Sequence, residues 1–280
     1  MDVSISVVSY NTKDLLKRCL KSIYKNTKGL RFEVIVVDNG SKDNSFEMVK
    51  KNFPDVRIIA NKSNIFFTKA NNQAFEIARG KYFLILNSDT YFVDNSIKKM
   101  TDYLEKNKEV GAIEGLEIYE DGNLVQTGSR FSTPLIDFYE LSFLGKRLKN
   151  RNLVDRYRLV SKDRRSNFEI DVGCDAFLMV RGEIVSRIGG YDENLLLYYT
   201  ENDLCLRIKK LGYKIMHVGN SKVMHRVSAS VSKIGWKKVD YYYKDLFAYY
   251  KKHGFMFMGA GLFLLLKTEE QILKLLKRND

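Results

Sequence analysis

Three short β-branched runs each stop at a cluster of small polar side chains. Val3 to Ser9 ends in Ser9-Tyr10-Asn11, Glu33 to Val37 runs into Asp38-Asn39-Gly40-Ser41, and Tyr82 to Leu86 runs into Asn87-Ser88-Asp89. In a doubly wound sheet the ligand sits beyond the carboxyl ends of the strands. Ser9, Tyr10, Asp38, Asn39, Asn87 and Asp89 would then line one edge of the sheet with groups able to bind a base, a ribose and a metal. A carboxylate at Asp89 suits a divalent cation, magnesium or manganese, because such ions are held by one or two carboxylates plus substrate phosphate oxygens. Taken singly, Asp38 and Asp89 also fit the ordinary role of aspartate in a turn after a strand. Two other nucleotide sites lack their sequence: there is no Gly-x-x-x-x-Gly-Lys-Ser/Thr loop and no Gly-x-Gly-x-x-Gly after the first strand.

Further motifs follow in the same order along the chain: Gly189-Gly190-Tyr191-Asp192-Glu193, Glu201-Asn202-Asp203-Leu204-Cys205-Leu206-Arg207, and His225. Together with Val7-Val8-Ser9-Tyr10-Asn11, Val36-Val37-Asp38-Asn39-Gly40-Ser41 and Leu86-Asn87-Ser88-Asp89, they resemble the inverting family 2 glycosyltransferases of GT-A fold, especially the rhamnosyltransferase-like branch. The resemblance covers Val3 to Ser230. It implies a nucleotide-diphosphate sugar as donor, with Tyr10 and Asp38 at the base and ribose. It also implies that Asn87 and Asp89 form a shortened Asp-x-Asp element whose last carboxylate holds the metal, with His225 near the metal or diphosphate.

The family's catalytic base lies in a Glu-Asp-x-Asp element that opens a helix, and here the element reads Thr200-Glu201-Asn202-Asp203. The resemblance therefore assigns the base to Glu201, one methylene longer than the usual aspartate, with Asp203 as an accessory candidate. Acidic residues in a first helical turn also favour the helix dipole without any catalytic role. Two further departures bear on recognition. Phe66 stands where relatives commonly carry glycine in Asn-x-Gly-Phe-Ala, and Asp175, where a small residue is common, is placed to touch the acceptor or sugar or to cap a turn. The implied reaction is one in-line displacement that inverts the anomeric centre.

The elements that must position these residues read as α/β. Strands at Val3–Ser9, Glu33–Val37 and Val56–Ala60 alternate with a helix from Asp14, whose Leu15, Leu16, Cys19, Leu20 and Ile23 recur at helical spacing, and with a helix from Thr68 to Arg79 ending at Gly80 as a left-handed cap. This predicts a mostly parallel, doubly wound sheet flanked by helices. Arg147 to Arg165 reads as a solvated, mobile connection. Order resumes at Phe168–Arg181, a helix near Glu201–Leu211 stopped by Gly212, and a strand at Lys214–Val218.

A net charge of +13, from 47 Lys and Arg against 34 Asp and Glu, favours anionic partners. Cys19, Cys174 and Cys205 are scattered in apolar contexts, which argues against a disulfide framework or zinc site and for a reducing, cytoplasmic compartment. Met1 to Ser9 reads as a strand and not as a secretory signal. Residues 1–230 form the expected catalytic domain and 231–280 a helical, membrane-proximal tail. Its uncharged Phe255–Leu266 run is shorter than the roughly 20 residues a span needs. It fits an in-plane helix drawn to anionic lipid at the inner membrane face by Lys251, Lys252, Lys267, Lys274, Lys277 and Arg278, or else a core-packing or homodimerising helix. A glycan or lipid-linked glycan is the acceptor class that suits such a tail. Two other classes stay open: a nucleic-acid binder, weakened by the absence of a concentrated basic helix, and a non-catalytic nucleotide-sugar scaffold.

Overall fold

A computed structural model describes residues 1–148, 150–226 and 237–276 of the chain. Strand β1 (Val3–Ser9) leads to helix α1 (Lys13–Asn26), and the alternation continues through β2 (Phe32–Asp38), α2 (Ser45–Asn52), β3 (Arg57–Ala60), α3 (Phe67–Ile77) and β4 (Tyr82–Asn87). A two-residue strand β5 (Thr90–Tyr91), α4 (Ser96–Lys106) and β6 (Val110–Ile118) follow. Three short helices come next, α5 (Pro134–Leu141), α6 (Phe143–Arg147) and α7 (Arg151–Tyr157), then β7 (Asn167–Ile170), β8 (Phe177–Arg181) and α8 (Gly182–Ile188). The remaining elements are α9 (Thr200–Lys210), β9 (Lys214–His225), α10 (Lys237–Lys252) and α11 (Met256–Leu276).

The strands form one mixed sheet in the order β3-β2-β1-β4-β8-β6-β9-β5, with β7 also on β9. β1 through β4 pair in parallel, β8 runs against both β4 and β6, and β6 and β9 are again parallel. Side chains alternate between the two faces with period two. Val34, Val36, Leu84 and Leu86 join the core under α1, α2 and α4, whereas Ile35, Val37, Phe83 and Ile85 join the core under α3, α8 and α9. Burial on both faces explains why these strands are almost wholly apolar until they stop. Register then aligns the stops: Ser9 pairs with Asp38, and Val8 with Asn87. The three polar ends thus lie in one row, as the doubly wound reading requires.

Three expectations need correction. Helix α3 closes at Ile77, and Gly80 is not its left-handed cap; a Cβ on Gly80 would lie 2.3 Å from the Ser4 backbone nitrogen, so the glycine is needed for close packing onto β1. The segment Arg147–Arg165 is not a plain solvated connection, since it contains α7 and buries Val154, Leu159 and Arg164. The Arg164 guanidinium donates to the Arg158 carbonyl at 2.7 Å. Helical periodicity was hidden there by many basic residues on a short, mostly exposed helix. Finally, the last strand runs past Val218 to His225, with a register shift against β6 between Gly115 and Leu116.

The two C-terminal helices pack back on the domain. Leu246, Tyr249, Tyr250, Leu262 and Leu266 share a third core with Leu195 and Tyr199. The apolar run in α11 therefore has two sides, one buried through Leu262 and Leu266, the other exposing Phe257 (85%) and Leu264 (63%). Among the described residues no helix is long and apolar enough to cross a membrane. The 230/231 boundary, Lys277, Arg278 and the Lys274 side chain lie outside the described residues.

Phe66, ahead of α3, has φ +70° and ψ 177°, a conformation that suits glycine, and its ring packs edge-on against Tyr241 of α10 at 4.9 Å between centroids. Backbone strain of this kind costs about 1–3 kcal/mol. Phe66→Gly and Phe66→Ala both lose the ring contact, but only glycine also relieves the backbone. The glycine variant should be more stable than the alanine variant by about 1 kcal/mol in denaturant unfolding; equal stability would mean that no strain is held there.

Candidate active site

The row of strand ends floors a cavity of about 290 Å³. Tyr10, Asn39, Asn87, Asp89, Asp175, Glu201 and His225 all contribute to its wall. Ser9, Asp38 and Asp203 do not, and each has another task.

Ser9 is buried and bonds Thr12 at 2.9 Å, and Thr12 in turn bonds Ser88 at 2.9 Å. This hydroxyl chain ties the end of β1 to the Asn87-Ser88-Asp89 turn. Asp38 closes its own turn, accepting the Ser41 N–H at 2.9 Å through Oδ1, while its buried Oδ2 has no hydrogen-bond partner among the described residues. The turn role and a spare acceptor coexist in one side chain. Asn39 anchors the loop before α3: its Nδ2 donates to Asn64 Oδ1 at 2.9 Å, and its Oδ1 accepts the Ile65 N–H at 3.0 Å.

Strand pairing brings together residues far apart in sequence. β5 pairs antiparallel with the end of β9, Thr90 opposite His225, and the Arg226 N–H donates to the Asp89 carbonyl at 3.0 Å. His225 Nε2 consequently faces Asp89 Oδ1 at 3.3 Å, and Nδ1 meets Glu117 Oε2 at 2.5 Å. Glu117 rises from β6, is 1% exposed, and was not singled out from the sequence. Its signal was a carboxylate, one of two with Glu114, inside a strand whose other residues are apolar or glycine. Burial disfavours the charged imidazole, yet the Asp89 and Glu117 carboxylates outweigh it and hold His225 up at about 9. Metal-binding histidines characteristically present one nitrogen to the ion and the other to an orienting carboxylate. His225 has this arrangement: Nε2 is buried beside Asp89 without a hydrogen-bond partner among the described residues, and Glu117 fixes the other nitrogen. The donor set fits a divalent cation. Among the described residues no three His, Cys, Asp or Glu side chains are poised to hold an ion unaided, so substrate oxygens or water would complete the sphere.

Thr200 and Glu201, which also wall the cavity, open α9. Tyr199 before them is left-handed, φ 58°, and the preceding loop is held by Asp245 of α10, whose carboxylate accepts the N–H groups of Leu196, Leu197 and Tyr198 at 2.8–3.0 Å. Thr200 Oγ1 lies 3.0 Å from both Asp175 Oδ2 and Glu201 Oε2. One hydroxyl has one proton, so both contacts are hydrogen bonds only if one carboxyl is protonated. Burial raises both acids, and the charge of Glu201 pushes Asp175 further, well above the carboxylate range. The pair is therefore arranged to share a proton. Asp175 is held in turn by the Tyr191 hydroxyl at 2.8 Å. Tyr191 is placed by Asn72, whose Oδ1 accepts its N–H at 2.8 Å; a Cβ on Gly190 would come within 2.5 Å of that oxygen.

The second acid of the Thr-Glu-Asn-Asp element points elsewhere. Asp203 is fully buried, pairing with Arg207 at 2.7 Å, Lys252 at 2.6 Å and His253 at 2.9 Å. Burial alone would raise its carboxyl, but His253, Lys252 and Arg207 pull it down to about 2. The structure thus places Asp203 in an ion-pair clamp between α9 and the end of α10, not at the cavity.

Comparison with known proteins sets this geometry in a family. The model of the family described as Glycosyl transferase family 2 matches residues 4–187. The chain belongs to this family. The glycosyltransferase is 25% identical to an N-acetylglucosaminyl-diphospho-decaprenol L-rhamnosyltransferase of Mycobacterium tuberculosis, over 82% of this chain and 77% of the relative. It is 32% identical to a UDP-Glc:alpha-D-GlcNAc-diphosphoundecaprenol beta-1,3-glucosyltransferase of Escherichia coli, over 49% of this chain and 53% of the relative. In fold it is similar, at a TM-score of 0.60 and 15% identity, to a mannosyltransferase from Pyrobaculum calidifontis solved with GDP-Man and Mn2+, covering 95% of this chain and 73% of that one. The α/β, GT-A-type architecture expected from the sequence is the one observed.

The imidazole of the glycosyltransferase's His225 is more basic folded than free, so its contribution to stability is complete below about pH 6.5 and is lost as pH rises through about 9. Denaturant unfolding in EDTA should show a loss on the order of 3 kcal/mol across that window. Glu117→Gln should flatten the dependence; an unchanged slope would show that Glu117 does not hold the charge.

Proposed function

We propose that the protein is a metal-dependent, inverting glycosyltransferase that moves a hexose from a nucleotide-diphosphate donor to a hydroxyl of a lipid-linked glycan, the rhamnosyltransferase-like branch making rhamnose one sugar to test beside the glucose of another relative. The single observation that carries this reading is the meeting in one cavity of Asp89 and His225 with Glu201, whose carboxyl burial raises. Tyr10, Asn39 and Asn87 lie on the donor side, and the unpartnered Asp38 oxygen behind them is a spare acceptor for a donor N–H or O–H.

Asp89 and His225 would hold a divalent cation, which would supply neutralisation of the charge that builds on the departing diphosphate. Glu201, ionised while Asp175 keeps the shared proton, accepts the proton of the acceptor hydroxyl. The acceptor oxygen attacks the anomeric carbon on the face away from the nucleotide, the bond to the diphosphate breaks, and the configuration inverts. Thr200 and Tyr191 hold the two carboxyls in place. Tyr157 and Tyr242 supply further apolar surface beside Glu201. Residues 231–280 are proposed as the element that keeps the enzyme at an anionic, cytoplasmic membrane surface, through the open face of α11 and its basic flank, where surface-polysaccharide or cell-wall intermediates are made.

Transfer assays with UDP-, GDP- and dTDP-sugars, with and without Mg2+ or Mn2+, test the assignment. Asp89→Ala should abolish metal-dependent activity, and Glu201→Gln should keep donor binding while losing at least 100-fold in kcat, the scale of general-base catalysis. Undiminished turnover in either variant removes that role.

Because Asp175 is protonated in the state that works, Asp175→Asn replaces one neutral group by another. The acid limb of kcat/KM is therefore expected to stay where it is; a clear shift to lower pH would show that Asp175 carries a charge there and would break the proposed proton sharing.

A further inference from the structure

The candidate active site does not end at Glu201. Glu201 and Cys174 wall both the first cavity and a second, of about 420 Å³. Tyr157 walls both the second and a third, of about 490 Å³. The cavities are strung in a row, with Glu201 at one junction and Tyr157 at the next.

The row changes chemistry along its length. The second cavity offers the rings of Tyr157 and Tyr242 with Gln126 and Ser129, planar apolar faces beside neutral hydrogen-bonding groups, which suits a sugar ring. Among the described residues its one cation is Arg158, which is ion-paired with Glu140. The third cavity has apolar walls from Leu135, Ile136, Leu153 and Leu159, with Arg130 and Arg156 beside them. Both arginines are exposed, and the ion pair of Arg130 with Asp171 is long, at 3.5 Å. Guanidinium groups next to an apolar wall fit a phosphate carrying a hydrocarbon chain. Helix α5, which supplies Leu135 and Ile136, packs against α11, whose outer side exposes Phe257 and Leu264. The apolar end of the row therefore lies on the flank of the molecule that carries exposed apolar side chains.

We propose that the second and third cavities form the acceptor path: the acceptor sugar sits against Tyr157 and Tyr242 with its hydroxyl at Glu201, and its lipid-linked phosphate sits at Arg130 and Arg156. The proposal rests on the reading of Glu201 as base, because a base must touch the acceptor hydroxyl where donor and acceptor meet. It assigns the acceptor class from the far end of the path, where neither the donor nor the cation reaches.

Undecyl diphosphate, which has the charge and chain but no sugar, is the probe. Calorimetric titration of the full chain in EDTA, which keeps the probe from being drawn to a metal, should show binding that weakens at least tenfold in the Arg130→Ala/Arg156→Ala double variant. Inorganic diphosphate should bind at least tenfold more weakly than the undecyl compound, and undecyl glucoside, which lacks phosphate, should bind wild type and variant alike. Absence of undecyl diphosphate binding, or equal binding to wild type and variant, overturns the path. Equal affinity for inorganic and undecyl diphosphate overturns its lipid end in favour of a polymer or free phosphate. The parent reading fails separately: transfer surviving in Glu201→Gln removes the base, whereas an inactive Glu201→Gln with an unaffected double variant removes only the acceptor path.

Discussion

Three parallel strands that stop in register are the constraint on which the rest of this molecule depends. The hydrogen-bond ladder sets Ser9 beside Asp38 and Val8 beside Asn87, so the residues that follow each strand emerge together. Both faces of these strands are covered by helices, which leaves the strand ends as the place where polar groups meet solvent without disturbing the core. Loops that leave such a row must still be fixed. The Ser9–Thr12–Ser88 hydroxyl chain and the Asn39–Asn64 bond do this with neutral side chains, leaving the carboxylates of the row for other work.

Two acids in one helical turn show how environment, not residue type, decides chemistry. Glu201 and Asp203 both stand in the first turn of α9 and both are desolvated. Asp203 is surrounded by Arg207, Lys252 and His253, so it stays ionised to low pH and is occupied in holding two helices together. Among the described residues no cation is paired with Glu201; its neighbours are Thr200, Asp175 and, further away, the charge of Asp245, and burial raises its carboxyl. Removing one partner from a buried ion pair strands a charge and costs about 3–5 kcal/mol. Helix α9 can therefore hold a raised, weakly partnered carboxylate at one side because the ion pairs at the other anchor it.

Much of this was legible in the sequence, for a physical reason. Residues such as Ser9-Tyr10-Asn11 and Asn87-Ser88-Asp89 follow apolar runs directly, so local pattern alone shows both strand and stop. What escaped depends on pairing across distance. The resemblance had put His225 near the metal of Asp89, and the pairing of the two-residue strand β5 with the end of β9 is what brings the two together. Glu117 meets His225 because β6 and β9 are adjacent, a contact with no local signature. The same applies to the partners of Asp203, which arrive from the end of α10, and to Asp175, whose significance comes from sharing Thr200 with Glu201. Helix α7 was missed for another reason: a seven-residue helix with one buried apolar side chain has too little periodicity to stand out against its charges.

The C-terminal helices, which in sequence look like an appendage, are part of the machinery that shapes the cavity. Asp245 holds three successive backbone N–H groups ahead of Thr200, the Tyr241 ring supports Phe66, and Tyr250 shares the buried Asp137 carboxylate with Tyr199 at the mouth of α9. A carboxylate accepting several N–H bonds is among the stronger restraints a loop can have. Helix α11 is therefore tied to the residues around Glu201 through α10 by packed rings and hydrogen bonds. Under the proposed docking at a lipid surface, an acceptor sugar tethered to a lipid would reach only a limited height above it. The packing of α11 on α5 and the Asp203–Lys252 pair between α9 and α10 would then hold the base at that height.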